Sequence, residues 1–252
     1  MISKNKIKFI QSLSRKKERE ETGLFIAEGE KLILELLKAN YHFDSIVTTK
    51  EELHFEHQLK SKVLFSSEDE MKKISLLKNP SPFLAIVKQP KKRDIPSPLP
   101  PDLILALDNL QDPGNMGTII RLASWFGVST IVCSEDCVDY YNPKVVQATM
   151  GALAHVGIFY TRLPEFLSLA TAKNRTIYGT FPEGDNIYSS PLESNGIIVL
   201  GNEGKGISDK VKEQVTQKIS IPSFKGGDVT VESLNVSIAA AIVCSEFRRR
   251  VY

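Results

Sequence analysis

The sequence predicts an α/β protein in two parts, a smaller N-terminal α/β domain and a C-terminal domain built on a mainly parallel sheet. Three observations predict it. Short apolar runs of strand length alternate with stretches of helical spacing along the 252 residues. Beyond residue 102 these runs are continuously apolar, as strands buried on both faces are. Between the two parts, residues 89–101 (QPKKRDIPSPLPP) hold five of the thirteen prolines. Proline fixes φ and removes a backbone donor, so this stretch reads as a stiff linker. The expected boundaries are a domain over 1–90, a proline-rich linker over 91–101 and a domain over 102–252.

Taken in order, Ile7, Ile10 and Leu13 fit one face of a single basic helix, which Thr22-Gly23 ends. Leu24–Ala27 reads as a short strand, and Leu32, Ile33, Leu36 and Leu37 give Lys31–Ala39 helical spacing. Strands follow at Ser45–Thr48, Lys62–Phe65 and Phe83–Val87, with Ser67 placed to cap a helix whose first turn is acidic. After the linker, Leu103–Leu107 and Thr130–Cys133 read as buried strands around a helix from Met116 to Phe126, with Asn115 able to cap it. Asn142-Pro143 opens another helix. Ile177–Gly179, Ile197–Leu200 and Ile219–Ile221 are further strands, and a last helix runs from about Ser233, a candidate cap, to Arg249. Parallel sheets of this kind bind ligands beyond the carboxyl ends of their strands, which directs attention to the loops after Leu107, Gly179, Leu200 and Ile221.

Composition narrows the class. Hydrophobic residues make up 42% and charged residues 25%, which excludes wholesale disorder. No apolar run reaches membrane-spanning length, and the N-terminus lacks the apolar core of a signal peptide, so neither a membrane span nor secretion is expected. Three cysteines, Cys133, Cys137 and Cys244, make no disulfide framework and fit a reducing cytoplasm. Cys133 and Cys137 have neither a second cysteine pair nor a nearby histidine, so no metal site is expected. Residues 1–20 carry seven basic side chains against two acidic ones, while the whole chain has a net charge of only +2. A basic arm on a near-neutral body suggests an anionic partner, with nucleic acid the first candidate; a solvated helix face is the alternative.

Three segments carry candidate chemistry. Asp108–Arg121 (DNLQDPGNMGTIIR) joins a strand end, a proline turn and a helix start of small residues to an arginine that follows an apolar turn. Arg121 there meets either a ligand anion or a structural carboxylate. Ile197–Ser208 (IIVLGNEGKGIS) follows a strand with three glycines that allow backbone to approach a ligand. It is neither a phosphate-binding P-loop, since Gly206 follows Lys205, nor a dinucleotide fingerprint, since Asp209 stands where the last glycine belongs. The third is Ile219-Ser220-Ile221-Pro222 followed by Glu232–Ala241 (ESLNVSIAAA), where Asn235 lies at the start of a helix of small residues.

Together the three segments resemble the signature motifs of the SpoU-type (TrmH-like) RNA ribose methyltransferases of the SPOUT superfamily. The matching positions are Asn109, Pro113, Asn115, Gly117 and Arg121; Leu200, Gly201, Glu203 and Gly206; and Ile221, Pro222, Ser233 to Ser237 and Ala239. Residues 1–90, around Arg15–Arg19 and Phe25–Gly29, resemble the substrate-binding domain of many members, a fold akin to an RNA-binding ribosomal protein. The stretch Ser223–Glu232 is longer than is usual in the family, and Ser223-Phe224 replaces its usual Met or Leu.

The resemblance implies S-adenosylmethionine as cofactor, a ribose 2′-hydroxyl of RNA as acceptor, a C-terminal trefoil knot and a homodimer with the site at its interface. It makes Arg121 the leading catalytic residue, with Asn115, Glu203, Ser233 and Asn235 orienting it, the ribose and the loops. A guanidinium stays protonated, so Arg121 would hold a phosphate and stabilise the forming alkoxide rather than act as base. Cofactor contacts would come from Thr180, Leu200, Gly201, Asn202, Gly204, Ile221, Ser223 and Leu234, and RNA contacts from Lys4, Arg15, Lys16 and Arg19. Ribosomal RNA is the expected substrate. The alternatives are transfer RNA, a non-catalytic RNA-binding protein on the same fold, or a Rossmann oxidoreductase, which the missing glycine fingerprint disfavours.

Overall fold

The structure is a computed structural model that describes residues 2–51, 62–223 and 233–250. The chain divides into two compact units, Met1–Lys92 with Asp139–His155, and Arg93–Val138 with Val156–Tyr252. This differs from a single cut in the linker: a stretch of seventeen residues from the C-terminal half is built into the first unit.

The first unit contains helices α1 (Lys4–Ser12) and α2 (Lys16–Thr22), strand β1 (Leu24–Glu28), helix α3 (Glu30–Lys38), strands β2 (Phe43–Thr48) and β3 (Val63–Phe65), helix α4 (Glu68–Ile74) and strand β4 (Phe83–Lys88). The sheet order is β1-β4-β2-β3, with β4 antiparallel to both its neighbours and β3 parallel to β2. Ile10, Leu13, Ile26, Val47, Met71, Ile74, Leu84 and Ile86 close one core over this sheet. Ser67 caps α4 with a reciprocal bond to Glu70.

The single basic helix expected at the N-terminus is two helices. The chain breaks after Ser12, and Arg19 reaches back from α2 to donate to the carbonyls of Leu13 and Ser14, at 3.0 and 2.8 Å. Its Nε and Nη2 donate to Asp139 Oδ2 at 3.0 and 2.6 Å, which leaves the residue 1% exposed. Phe25 of β1 packs on Tyr141 with ring centroids 4.6 Å apart. The following helix α6 (Pro143–Ala148), capped by Asn142, lies against β1 with Val145 and Val146 buried.

The second unit is a six-stranded, all-parallel sheet in the order β10-β8-β9-β5-β6-β7. Its elements are β5 (Ile104–Leu107), α5 (Pro113–Trp125), β6 (Thr130–Ser134), β7 (Gly157–Thr161), α7 (Leu163–Thr171), β8 (Ile177–Asn186), β9 (Ile197–Leu200), α8 (Asp209–Lys212), β10 (Gln217–Ser220) and α9 (Val236–Arg249). β5, β8 and β9 occupy the middle, and every residue of β5 and β9 is buried, as their unbroken apolar runs require.

The proline-rich stretch is not a free linker. Ile95 and Leu99 pack against the core of this unit, and Arg175 donates to the carbonyls of Pro100 and Asp102 at 2.9 and 2.7 Å. Two helix starts also differ from expectation. Asp112 rather than Asn115 caps α5, accepting from Asn115 N at 2.7 Å, and Asn235 rather than Ser233 caps α9, accepting from the amides of Ser237 and Ile238. The long Ser223–Glu232 loop lies outside the described residues beyond Ser223. The knot implied by the family resemblance depends on the same stretch.

Candidate active site

The site is built at the carboxyl end of the second unit's sheet. β5 ends at Leu107. The buried Asp108 then donates its amide to Leu200 O at 2.9 Å and accepts Ser208 N on Oδ2 at 2.7 Å, tying the loop after β9 to the loop after β5. Asn109 follows with φ +53°, a left-handed conformation that asparagine tolerates better than most residues. Beneath this turn, Cys137 Sγ donates to Leu107 O and accepts Leu110 N, both at 3.3 Å. The neighbouring Cys133 thiol holds Cys137 down at about 7, and burial pushes Cys133 up.

The loop after β9 closes on itself. The amides and carbonyls of Asn202 and Gly206 exchange two bonds of 2.9 Å. Asn202 Nδ2 donates to Asn109 O at 2.9 Å, and its Oδ1 accepts the amides of Gly204 and Lys205, both at 3.0 Å. Gly201 sits where this hairpin presses on the strand end: a Cβ there would lie 2.3 Å from Gly206 C, so only glycine fits.

A directed hydrogen-bond chain then joins all three sequence segments. Asn235 Nδ2 donates to Asn115 Oδ1 at 3.0 Å, and Asn115 Nδ2 donates to Glu203 Oε1 at 2.6 Å. An ionised carboxylate only accepts, so Glu203 sets the orientation of the Asn115 amide, and Asn115 in turn sets that of Asn235. Asn235 Oδ1 is then free to cap α9.

Arg121 lies elsewhere. It is six residues beyond Asn115 on α5, ~9 Å along the axis and about 120° around it. It is exposed, and among the described residues no hydrogen bond or ion pair engages it. Among the described residues no carboxylate pairs with it: Ile119, Ile120 and Leu122 turn inward while Arg121 shares the outer face with Gly114, Thr118 and Trp125.

Of the expected cofactor residues, Thr180, Leu200, Gly201 and Ile221 lie on the adjacent strands β8, β9 and β10 or at their ends. Thr180 Oγ1 donates to Val199 O at 3.1 Å. Ser223, Ser233 and Leu234 are exposed at the borders of the described chain. The Asn202 side-chain amide donates to Asn109 O, its backbone amide to Gly206 O and the amide of Gly204 to Asn202 Oδ1, so these donors are engaged within the protein. Arg19 is withdrawn from RNA contact for the same reason, being enclosed by carbonyls and Asp139. Sequence reasoning missed Asp108 and Asp112 as the residues that position these loops; the signal available was an acid directly after a buried strand and another directly before Pro113. Among the described residues, no cluster could hold a metal ion, and no helix is long and apolar enough to cross a membrane.

Residues 102–245 match the model of the SpoU rRNA Methylase family. The chain belongs to the SpoU rRNA methylase family. It is an S-adenosylmethionine-dependent enzyme that methylates ribose 2′-hydroxyls in RNA. Residues 4–85 match the MRM3-like substrate binding domain. A SpoU relative, the 23S rRNA (guanosine(2553)-2′-O)-methyltransferase RlmP of Bacillus subtilis, is 28% identical over 96% of each chain. A TrmH-family protein from Porphyromonas gingivalis superposes with a TM-score of 0.87, at 38% identity over 99% of each chain. The AdoMet-bound rRNA methyltransferase of Sinorhizobium meliloti superposes with a TM-score of 0.86, at 27% identity, covering 100% of this chain and 97% of that one. The SpoU segment thus contains every residue of the Asn115–Glu203–Asn235 chain, and Arg121 with it.

Proposed function

We propose that this SpoU methylase acts on ribosomal RNA in the cytoplasm, and as a homodimer in which Arg121 of one copy completes the site of the other. The observation that carries the reading is the separation of Arg121 from the Asn235–Asn115–Glu203 chain of its own subunit. A guanidinium with no partner among the described residues, about 120° around its helix from Asn115, suits a site on a second copy. Trp125, one turn further on the same face, is 84% exposed; on the neighbouring α9 Ile238 is 53% exposed, and Leu234, just before the α9 cap, is 48% exposed. Apolar side chains of this size on two packed helices favour cover by another chain. Ribosomal RNA is supported by relatives named for that substrate.

The residues fit the cofactor. On β8, β9 and β10 and just beyond them the groups on offer are backbone amides and carbonyls, the Thr180 hydroxyl and the apolar Leu200 and Ile221, with Leu234 before the α9 cap. This donor set suits a neutral purine and ribose, and Thr180, Leu200, Gly201, Ile221, Ser223 and Leu234 would hold them. When bound, S-adenosylmethionine supplies an electrophilic methyl on a sulfonium. Arg121 binds the phosphate beside the target ribose and stabilises charge developing on its 2′-oxygen. It keeps its own proton throughout, so the hydroxyl proton leaves to the phosphate it holds. Asn115, Glu203, Ser233 and Asn235 fix the loops that orient the ribose.

The test is transfer of labelled methyl into RNA from a strain deleted for this protein, with mapping of the 2′-O-methyl site. Label confined to transfer RNA would sink the ribosomal reading. Mixing Arg121→Ala with Glu203→Ala, each inactive alone, should restore about a quarter of wild-type activity through hybrid dimers. No recovery in dimers shown to be mixed would place Arg121 in its own subunit's site. Trp125 is the sole tryptophan, so its emission should shift to the blue as concentration drives dimerisation.

A further inference from the structure

The basic arm at residues 1–20 is largely neutralised within the fold. Lys6 pairs with Asp44 at 3.3 Å, Arg15 with Glu18 at 3.1 Å, Lys16 with Glu20 at 3.8 Å and Lys17 with Glu21 at 3.7 Å, while Arg19 is enclosed. Of its seven cations only Lys4 and Lys8 lack such a partner among the described residues. The reverse holds at the end of β4. Lys88, Lys91, Lys92 and Arg93 are all exposed, and among the described residues none has an ion pair or a side-chain hydrogen bond. Asp94 is the only acid between residues 88 and 94, and it forms no ion pair.

The backbone that carries these four cations is anchored. Lys88 N donates to His42 O at 2.8 Å and Gln89 N to Gly23 O at 2.7 Å. The Gln89 side-chain amide donates to the carbonyls of Arg19 and Leu24, at 3.1 and 3.2 Å. Further on, Ile95 packs into an apolar core. Lys88 ends β4, and beyond it Pro90 and Pro96 bracket Lys91, Lys92 and Arg93, which have no regular secondary structure. They therefore lack the helical spacing by which Lys16 and Lys17 reach glutamates four residues on. Cations with no carboxylate to release can meet phosphates at no loss of existing ion pairs, and each such contact frees a condensed counterion.

We propose that the Lys88–Arg93 tract, rather than the paired α1–α2 arm, is the main phosphate-binding surface for the RNA. The proposal rests on RNA as the substrate and names where its backbone is held. The test uses the full chain in three forms: wild type, K91Q/K92Q/R93Q, and K16Q/K17Q. Binding of a fluorescent oligouridylate is followed across a range of salt concentrations. The tract variant should bind more weakly, with a log–log salt slope smaller by about 2, at ~0.7 per contact with a single strand. The arm variant should change the slope by less than the ~0.7 of one contact, since Glu20 and Glu21 stand 3.8 and 3.7 Å from its lysines and repel a phosphate placed there. S-adenosylhomocysteine binding, unchanged in both variants, confirms the fold. A wild-type slope in the tract variant, whatever the arm variant does, overturns the proposal. If wild type methylates ribosomal RNA in that case, the functional reading stands and only the tract assignment falls; if wild type methylates no RNA, the functional reading itself has failed.

Discussion

In the proposed site Arg121 and Gly201 would act in opposite ways, one through a side chain with no partner among the described residues and the other by leaving no room for a Cβ. Arg121→Ala should leave S-adenosylhomocysteine affinity nearly intact in calorimetry and lower methyl transfer by ~10²-fold or more. Arg121→Lys should recover little, because an ammonium does not reproduce the planar fork. Gly201→Ala should abolish cofactor binding, since its Cβ would meet the backbone of Gly206 rather than a side chain that can swing away. Glu246 is a structural counterpart. Arg249 and then Arg250 donate to it at 2.8 Å and hold its carboxyl down at about 2, from an ordinary 4.5. A lowered acid stabilises the fold fully above pH ~4.5, and the contribution fades as pH falls toward 2. Glu246→Gln should therefore lower stability on the order of 1 kcal/mol at neutral pH, with the gap in urea titrations closing in acid. The identities of Arg121, Asn115, Glu203 and Asn235 were legible as motif residues. Their bonding was not, because Asn115 is 88 residues from Glu203 and 120 from Asn235, and no local spacing couples such positions.

Among the elements, α9 shows how one side chain serves both a helix and the site. Asn235 Oδ1 caps the helix while Nδ2 holds Asn115. Asn235→Asp should keep the cap, and even favour the helix dipole, yet lose the donor to Asn115. It should show near wild-type thermal stability with markedly reduced turnover, whereas Asn235→Ala should lose ~1 kcal/mol as well. If the aspartate variant turns over normally, the link to Asn115 is dispensable. Strands with continuous apolar runs, β5, β6 and β9, were read from the sequence because burial on both faces leaves no alternation to misread. β7 and α7 were not. β7 is a half-buried edge strand, and Pro164 reads as a breaker although at the first turn of α7 it is a favourable residue. The break between α1 and α2 was hidden because the side chain that satisfies it, Arg19, looks like a surface cation until Asp139 is in place.

For the molecule as a whole, the proline-rich stretch marked one boundary between the units, between Lys92 and Arg93, but not the return of a later segment to the first unit. Asp139–His155 belongs with the first unit, through Arg19–Asp139, Phe25–Tyr141 and the packing of α6 on β1. A chain truncated to begin at Pro98 would uncover Tyr141, Val145, Val146 and Leu153, all buried in the intact protein. It should accordingly be less soluble and melt earlier than the full chain, and Val145→Ser with Val146→Ser should improve its recovery. A truncated chain that melts like the intact protein without those changes would show that the segment refolds onto its own half.

The same excursion sets the rules for exchanging parts between relatives. A hybrid enzyme made by splicing another SpoU methylase's N-terminal half onto this one at the prolines would face the wrong residues at position 139 and around α6. Recombination that respects the fold needs two further crossover points, near residues 138 and 156, so that the Asp139–His155 insert travels with the half on which it is built.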